Sequence, residues 1–225
     1  MYLKVGSVTE MKNNKISNNF SVALGLTDYV NPIMYMITSI ILIINLNKIM
    51  SFPYSVIYIT GVIVSLIFGF TIPTLKLLVG LGKFKFKLPV NLVFYVNSGI
   101  FLSGLMLIKN IMNINTFIFI CIILLSIIIL LLIYLKTKKF NTIAVLTGAI
   151  GYLLIYISLI TKSINNQLIV PVILYSVAIC FYLLLIGIGV KANLKDARIH
   201  WVLEISNIIC QTSVSIATIL LFKNI

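Results

Sequence analysis

The sequence predicts an all-α membrane protein with seven transmembrane helices, its N-terminus in the cytoplasm and its C-terminus outside. Three observations lead there. Seven apolar runs of roughly 18 to 24 residues lie along the chain, each close to the ~20 residues that cross ~30 Å of hydrocarbon. Hydrophobic residues make up 61% of the chain and charged ones 9%, too few charges for a water-facing surface. The basic residues also alternate. The eight segments outside the runs carry 3, 1, 4, 1, 3, 1, 3 and 1 Lys or Arg, so 13 fall on one side and 4 on the other. Basic loops stay cytoplasmic.

The elements follow in order. Residues 1–27 are mostly polar, carry Lys4, Lys12 and Lys15, and lack the apolar centre of a signal peptide. They read as a loose or surface-lying cytoplasmic tail before a membrane domain at 28–225. The first run, Tyr29–Leu46, begins beside Asp28 and continues a polar stripe through Asn31, Tyr35 and Ser39. The second, Tyr54–Ile72, starts after Pro53 and spaces Gly61, Ser65 and Gly69 by four. Such small faces let helix backbones approach closely in lipid. A basic link with Lys76, Lys83, Lys85 and Lys87 leads to the third run, Leu88–Ile108. That run carries Asn91, Tyr95 and Ser98, then the small pair Gly99 and Ser103. The fourth, Phe117–Leu135, is nearly featureless; the fifth is Ile143–Ile160 and the sixth Leu168–Val190, with Pro171 near its start. The seventh, Ile199–Phe222, is the polar outlier.

The net charge of +13 invites a nucleic-acid reading, but such a face needs its bases clustered on one soluble element. Here they sit at helix ends, where they meet anionic headgroups of the inner leaflet. No nucleic-acid partner is expected. Cys121, Cys180 and Cys210 lie singly inside three different runs and read as small packing groups, with no disulfide framework. Trp201 is placed as an aromatic anchor at the interface.

Runs one to three and five to seven read as copies. The second and sixth both have an early proline. The third reads NLVFYVNSGIF and the seventh HWVLEISNIIC, with Tyr95 and Glu204 at matching places, and both units end in Lys-Asn-Ile. The expected units are 28–111 and 140–225, with the linker helix at 117–135. An odd linker leaves the units parallel, one recognised transporter plan. This three-plus-one-plus-three layout is similar to that of sugar and vitamin transporters of the SWEET and PnuC type. The likeness lies in helix order, and none of their sequence motifs is present.

Chemistry concentrates on the seventh run. His200, Glu204, Asn207, Gln211, Ser215 and Thr218 recur at spacings of 4, 3, 4, 4 and 3, which at about 100° per residue keeps them on one face. Against lipid that face would be costly, so it turns to the bundle interior or a water-filled path. Glu204 is the one acid well inside a run, and a carboxylate there must be paired, solvated or protonated. The expected partners are His200 one turn away, or Lys195 or Arg198 reaching in. With Asp28, Asn31, Asn91 and Tyr95, these residues predict a polar cavity open to the cytoplasm between helices one, three and seven.

Catalysis is disfavoured. One His and three separated Cys make neither a zinc nor a haem site, so no metal or cofactor is expected. There is no second acid inside a run to form a dyad with Glu204, no nucleophile motif beside His200 and no Gly-rich phosphate loop. The expected function is transport of a small polar solute or ion in the cytoplasmic membrane. Glu204 would carry charge, His200 would tune it, and Asn207, Gln211, Asn91, Tyr95, Asp28 and Asn31 would bind. A lipid-directed enzyme using a Glu–His acid–base pair and a non-catalytic sensory or assembly subunit are the alternatives. Self-association is compatible with all three.

Overall fold

The computed structural model describes residues 21–82, 90–138, 140–191 and 197–225. The side chains of residues 90, 141, 188–191 and 197–200 fall outside that description, as do the basic residues of the tail and Lys83, Lys85, Lys87 and Lys195. Every regular element among the described residues is helical. A short helical segment, Val22–Thr27, leads into α1 (Val30–Ile44). Then come α2 (Tyr54–Gly80), α3 (Val90–Ile111), α4 (Thr116–Thr137), α5 (Phe140–Asn165), α6 (Ile169–Lys191) and α7 (Ala197–Lys223). Seven spans among the described residues are long and apolar enough to cross a membrane, as a multi-pass membrane protein requires.

Two boundaries differ from the sequence reading, and both matter. The first span begins at Val22, inside the segment assigned to the tail, and so carries Asp28 within it, the backbone staying helical at Asp28 and Tyr29. The Ser21 side chain caps the short segment by accepting from the Leu24 amide at 3.1 Å, and Pro32 falls in the first turn of α1. The second span runs on past Ile72, through Pro73 to Gly80; the chain stays apolar around the proline, and the Thr71 and Thr74 hydroxyls are met by carbonyls four residues back. Lys76 therefore stands within a helix rather than in a loop.

Six helices form a ring. Each packs on the next in the order α1, α2, α3, α5, α6, α7, and α7 returns to α1. The tight seams are built on small residues. A Cβ added at Gly61 of α2 would lie 2.7 Å from the carbonyl oxygen of Gly99 on α3 and 2.6 Å from Ser103 Oγ. One added at Gly104 of α3 would lie 2.6 Å from the Gly151 carbonyl of α5. Only glycine permits backbones that close, and packing rather than hydrophobic drive holds helices together in lipid. Helix α4 rests on α5 outside the ring, and its large side chains, from Phe117 to Leu135, are mostly exposed. That agrees with a nearly featureless, lipid-facing sequence.

Hydroxyls and a thiol fasten neighbouring helices of the ring. Thr38 and Ser215 are 2.9 Å apart between α1 and α7, and Ser215 also reaches the Met34 carbonyl at 3.2 Å. Tyr175 and Thr218 join α6 to α7 at 2.9 Å. Cys210 gives its thiol proton to the Ala178 carbonyl at 3.3 Å and lies 3.4 Å from the Tyr156 hydroxyl.

Candidate functional site

Charges converge around Asp28, where the short segment Val22–Thr27 joins α1. Lys76 Nζ of α2 is 2.6 Å from Asp28 Oδ2 and 3.8 Å from Glu204 Oε1 of α7. Asn31 Nδ2 of α1 donates to Glu204 Oε2 at 2.9 Å. Asp28 and Glu204 are each 8% exposed. The close pairing has a packing cause: Gly25 lets the short segment sit against Leu77, where a Cβ would come within 2.9 Å of backbone. This carries Asp28 to the neighbouring Lys76. The adjoining Tyr29 and Thr74 hydroxyls, 2.6 Å apart, fasten the same two elements.

Glu204 thus finds Lys76 and Asn31. The partners expected from sequence, His200 and Arg198, have side chains outside the described residues, as does all of Lys195. A second intramembrane acid, which the sequence did not offer, is present in Asp28, because the first span starts before it. Two carboxylates face one ammonium, so with all three ionised the cluster carries one negative charge beyond its internal pairing.

A cavity of about 170 Å³ opens beside the cluster. Asp28, Asn31, Pro32 and Tyr35 line it from the first span, Ser65, Gly69, Ile72 and Pro73 from α2, and Asn207 from α7. Helix α3 supplies Val96 and Ile100, and α5 supplies Tyr152. Glu204 stands one hydrogen bond behind this wall, through Asn31. The charged group on the wall itself is Asp28. Beyond Tyr35 and Tyr152, which border both spaces, the hollow narrows to about 10 Å³ among Ser39, Tyr58, Tyr156 and Gln211, near the smallest space that takes one water.

Several polar atoms on this wall lack partners. Asn31 Oδ1 and the Tyr35 hydroxyl are buried and close no hydrogen bond. The Tyr35 hydroxyl faces those of Ser39, Ser65 and Ser103; Ser65 gives its proton to the Gly61 and Val96 carbonyls and Ser103 to the Gly99 carbonyl, so those two can meet the phenol only as acceptors. Asp28 Oδ2 holds Lys76 by charge but takes no aligned hydrogen bond. Pro73 has no N–H to return to the Gly69 carbonyl, and both residues line the cavity. A buried polar group without a partner costs free energy.

The sequence stripes therefore separate. On α7, Glu204 belongs to the charged cluster, Asn207 to the cavity and Gln211 to its narrow extension, whereas Ser215 and Thr218 fasten helices. On α3, Asn91 is exposed, and Tyr95 is 45% exposed and stacks on Phe68 at 4.8 Å between ring centres. Neither reaches the cavity. The Gly61–Gly99 seam fixes the rotation of α3, and Tyr95, one turn before Gly99, lies along that seam. Lys76 is the site residue that sequence reasoning missed, having been counted as a loop charge. No family model, no curated protein and no solved structure matches this chain. The site's own geometry must carry the functional argument.

Proposed function

We propose that this chain is a secondary transporter for a small polar solute or ion, working in the cytoplasmic membrane with its N-terminus inside and its C-terminus outside. One observation carries the reading: a buried cluster of Asp28, Lys76 and Glu204 borders a cavity enclosed by the helix ring. Ionisable side chains inside apolar spans are costly, face the bundle interior, and mark substrate and ion pathways. Two lesser features agree. The ring order is what two copies of a three-helix unit would give, α1–α3 and α5–α7, with α4 as the linker outside. The start of α1, the end of α2 and the start of α7 meet at one end of the bundle, which the basic loops assign to the cytoplasm.

In this reading Asp28, Asn31 and Asn207 receive the solute from the cytoplasmic side. Tyr35 and Tyr152 close the way onward, and rocking of the two units opens it. Glu204 and Lys76 set the charge of the wall. The test is uptake by proteoliposomes from a defined mixture of small metabolites and salts, with the contents read by mass spectrometry. At least one solute should be enriched over vesicles carrying Asp28→Asn. Equal contents in both, with both proteins folded, would overturn the proposal.

A further inference from the structure

Within that transport reading, we infer that the cavity binds a small organic monocation, a primary ammonium of roughly six to eight non-hydrogen atoms. Charge argues first. Asp28 and Glu204 share the single ammonium of Lys76, and among the described residues that line the cavity no basic side chain appears. Among the described residues, two carboxylates thus share one ammonium, Glu204 standing just behind the wall that Asp28 lines. A buried charge needs a counter-ion or a proton, and a cation that enters beside Asp28 takes the place of such a proton.

The unpartnered atoms argue second, and independently. Tyr35, 9% exposed, lines the cavity, and its hydroxyl, beside those of Ser39, Ser65 and Ser103, closes no aligned hydrogen bond. Asn31 points its amide nitrogen at Glu204, which leaves Oδ1 as an acceptor without a donor. The Gly69 carbonyl has lost its helical donor to Pro73. Together with the Asp28 carboxylate these are mostly acceptors, and an ammonium brings three N–H donors and no acceptor. An anion or a purely accepting solute would leave them unmet.

Shape and size argue third. Tyr35 and Tyr152 line the same space, and aromatic rings can attract cations. A dry cavity of about 150 Å³ takes benzene, so about 170 Å³ suits a short alkyl or aryl ammonium. The apolar arm of such a ligand would rest on Ile72, Val96 and Ile100. A bare sodium ion would leave that arm of the cavity empty.

Binding to the purified full chain in nanodiscs tests this. The probes are n-hexylammonium and benzylammonium, the isosteric alcohols, the matching carboxylates, and sodium and potassium chloride. The ammonium ions should bind with release of about one proton, and the alcohols and carboxylates should bind at least tenfold more weakly. Asp28→Asn should abolish ammonium binding. Tyr35→Phe, which keeps the ring and its packing, should weaken it about tenfold, the worth of one hydrogen bond to a charged group. Equal binding of the alcohols, binding of sodium alone, or ammonium binding unchanged in both variants would overturn the inference. So would no binding by any probe. In each such case the metabolite-uptake assay still decides the transport reading by itself: enrichment of a solute of another class keeps transport and discards the ammonium.

Discussion

At the scale of single residues, the three charges of the cluster are not equivalent. Lys76→Met leaves Asp28 and Glu204 facing each other, both buried and unpaired. Loss of one partner from a buried ion pair costs about 3 to 5 kcal/mol, and SDS or thermal unfolding in detergent should show a loss of that order. Glu204→Gln is gentler. Its amide oxygen still accepts from Asn31, and Lys76 keeps Asp28 at 2.6 Å. Stability should fall by about 1 kcal/mol or less, the worth of one ordinary hydrogen bond, while uptake is lost. A Glu204→Gln protein as unstable as Lys76→Met would make the cluster structural. Glu204 and the amides of this site were legible in the sequence because a polar group inside an apolar run stands out; Asp28 was named as the start of a stripe, but its place inside a span was hidden by reading residues 1–27 as a tail. Lys76 was not. It lies past a proline and beside three other lysines, where a topological charge is the natural reading, and nothing local announces that the helix continues.

At the scale of elements, rotation is set by glycine. Gly61→Ala forces a methyl to within 2.7 Å of the Gly99 carbonyl and should cost about 1 to 3 kcal/mol, as overpacking does. Gly187→Ala on α6 meets no atom within 4 Å and should leave unfolding unchanged or slightly raised. Gly69 discriminates packing from function. An alanine Cβ there finds only the Pro32 side chain, at 3.7 Å, so Gly69→Ala should fold as well as the parent protein. Gly69→Leu should still insert but fill the cavity and abolish uptake, and undiminished uptake would place the route elsewhere. The helices and their small-residue seams were legible, since both follow from hydropathy and spacing. Which way α3 turns was not. Asn91 and Tyr95 form a polar stripe by spacing, yet the Gly61–Gly99 contact carries them away from the cavity. A stripe predicts a shared face, and the neighbouring helix decides where that face points.

At the scale of the whole molecule, orientation and the route through the ring each make a prediction. Moving Lys76 from loop to site leaves 12 basic residues against 4, still ample for the N-in, C-out arrangement. A C-terminal reporter active only in the cytoplasm should stay dark. The central claim is that the hollow behind Asp28 is a route that opens alternately to the two faces of the membrane. Asn207 lines that hollow without belonging to the charged cluster, which makes it the right probe. The decisive measurement places Asn207→Cys in a Cys121→Ser, Cys180→Ser, Cys210→Ala background. A membrane-impermeant maleimide is then applied to right-side-out and to inside-out vesicles. The account predicts labelling of Cys at this position from both faces. Protection from one or both faces, with full labelling after denaturation, would contradict it.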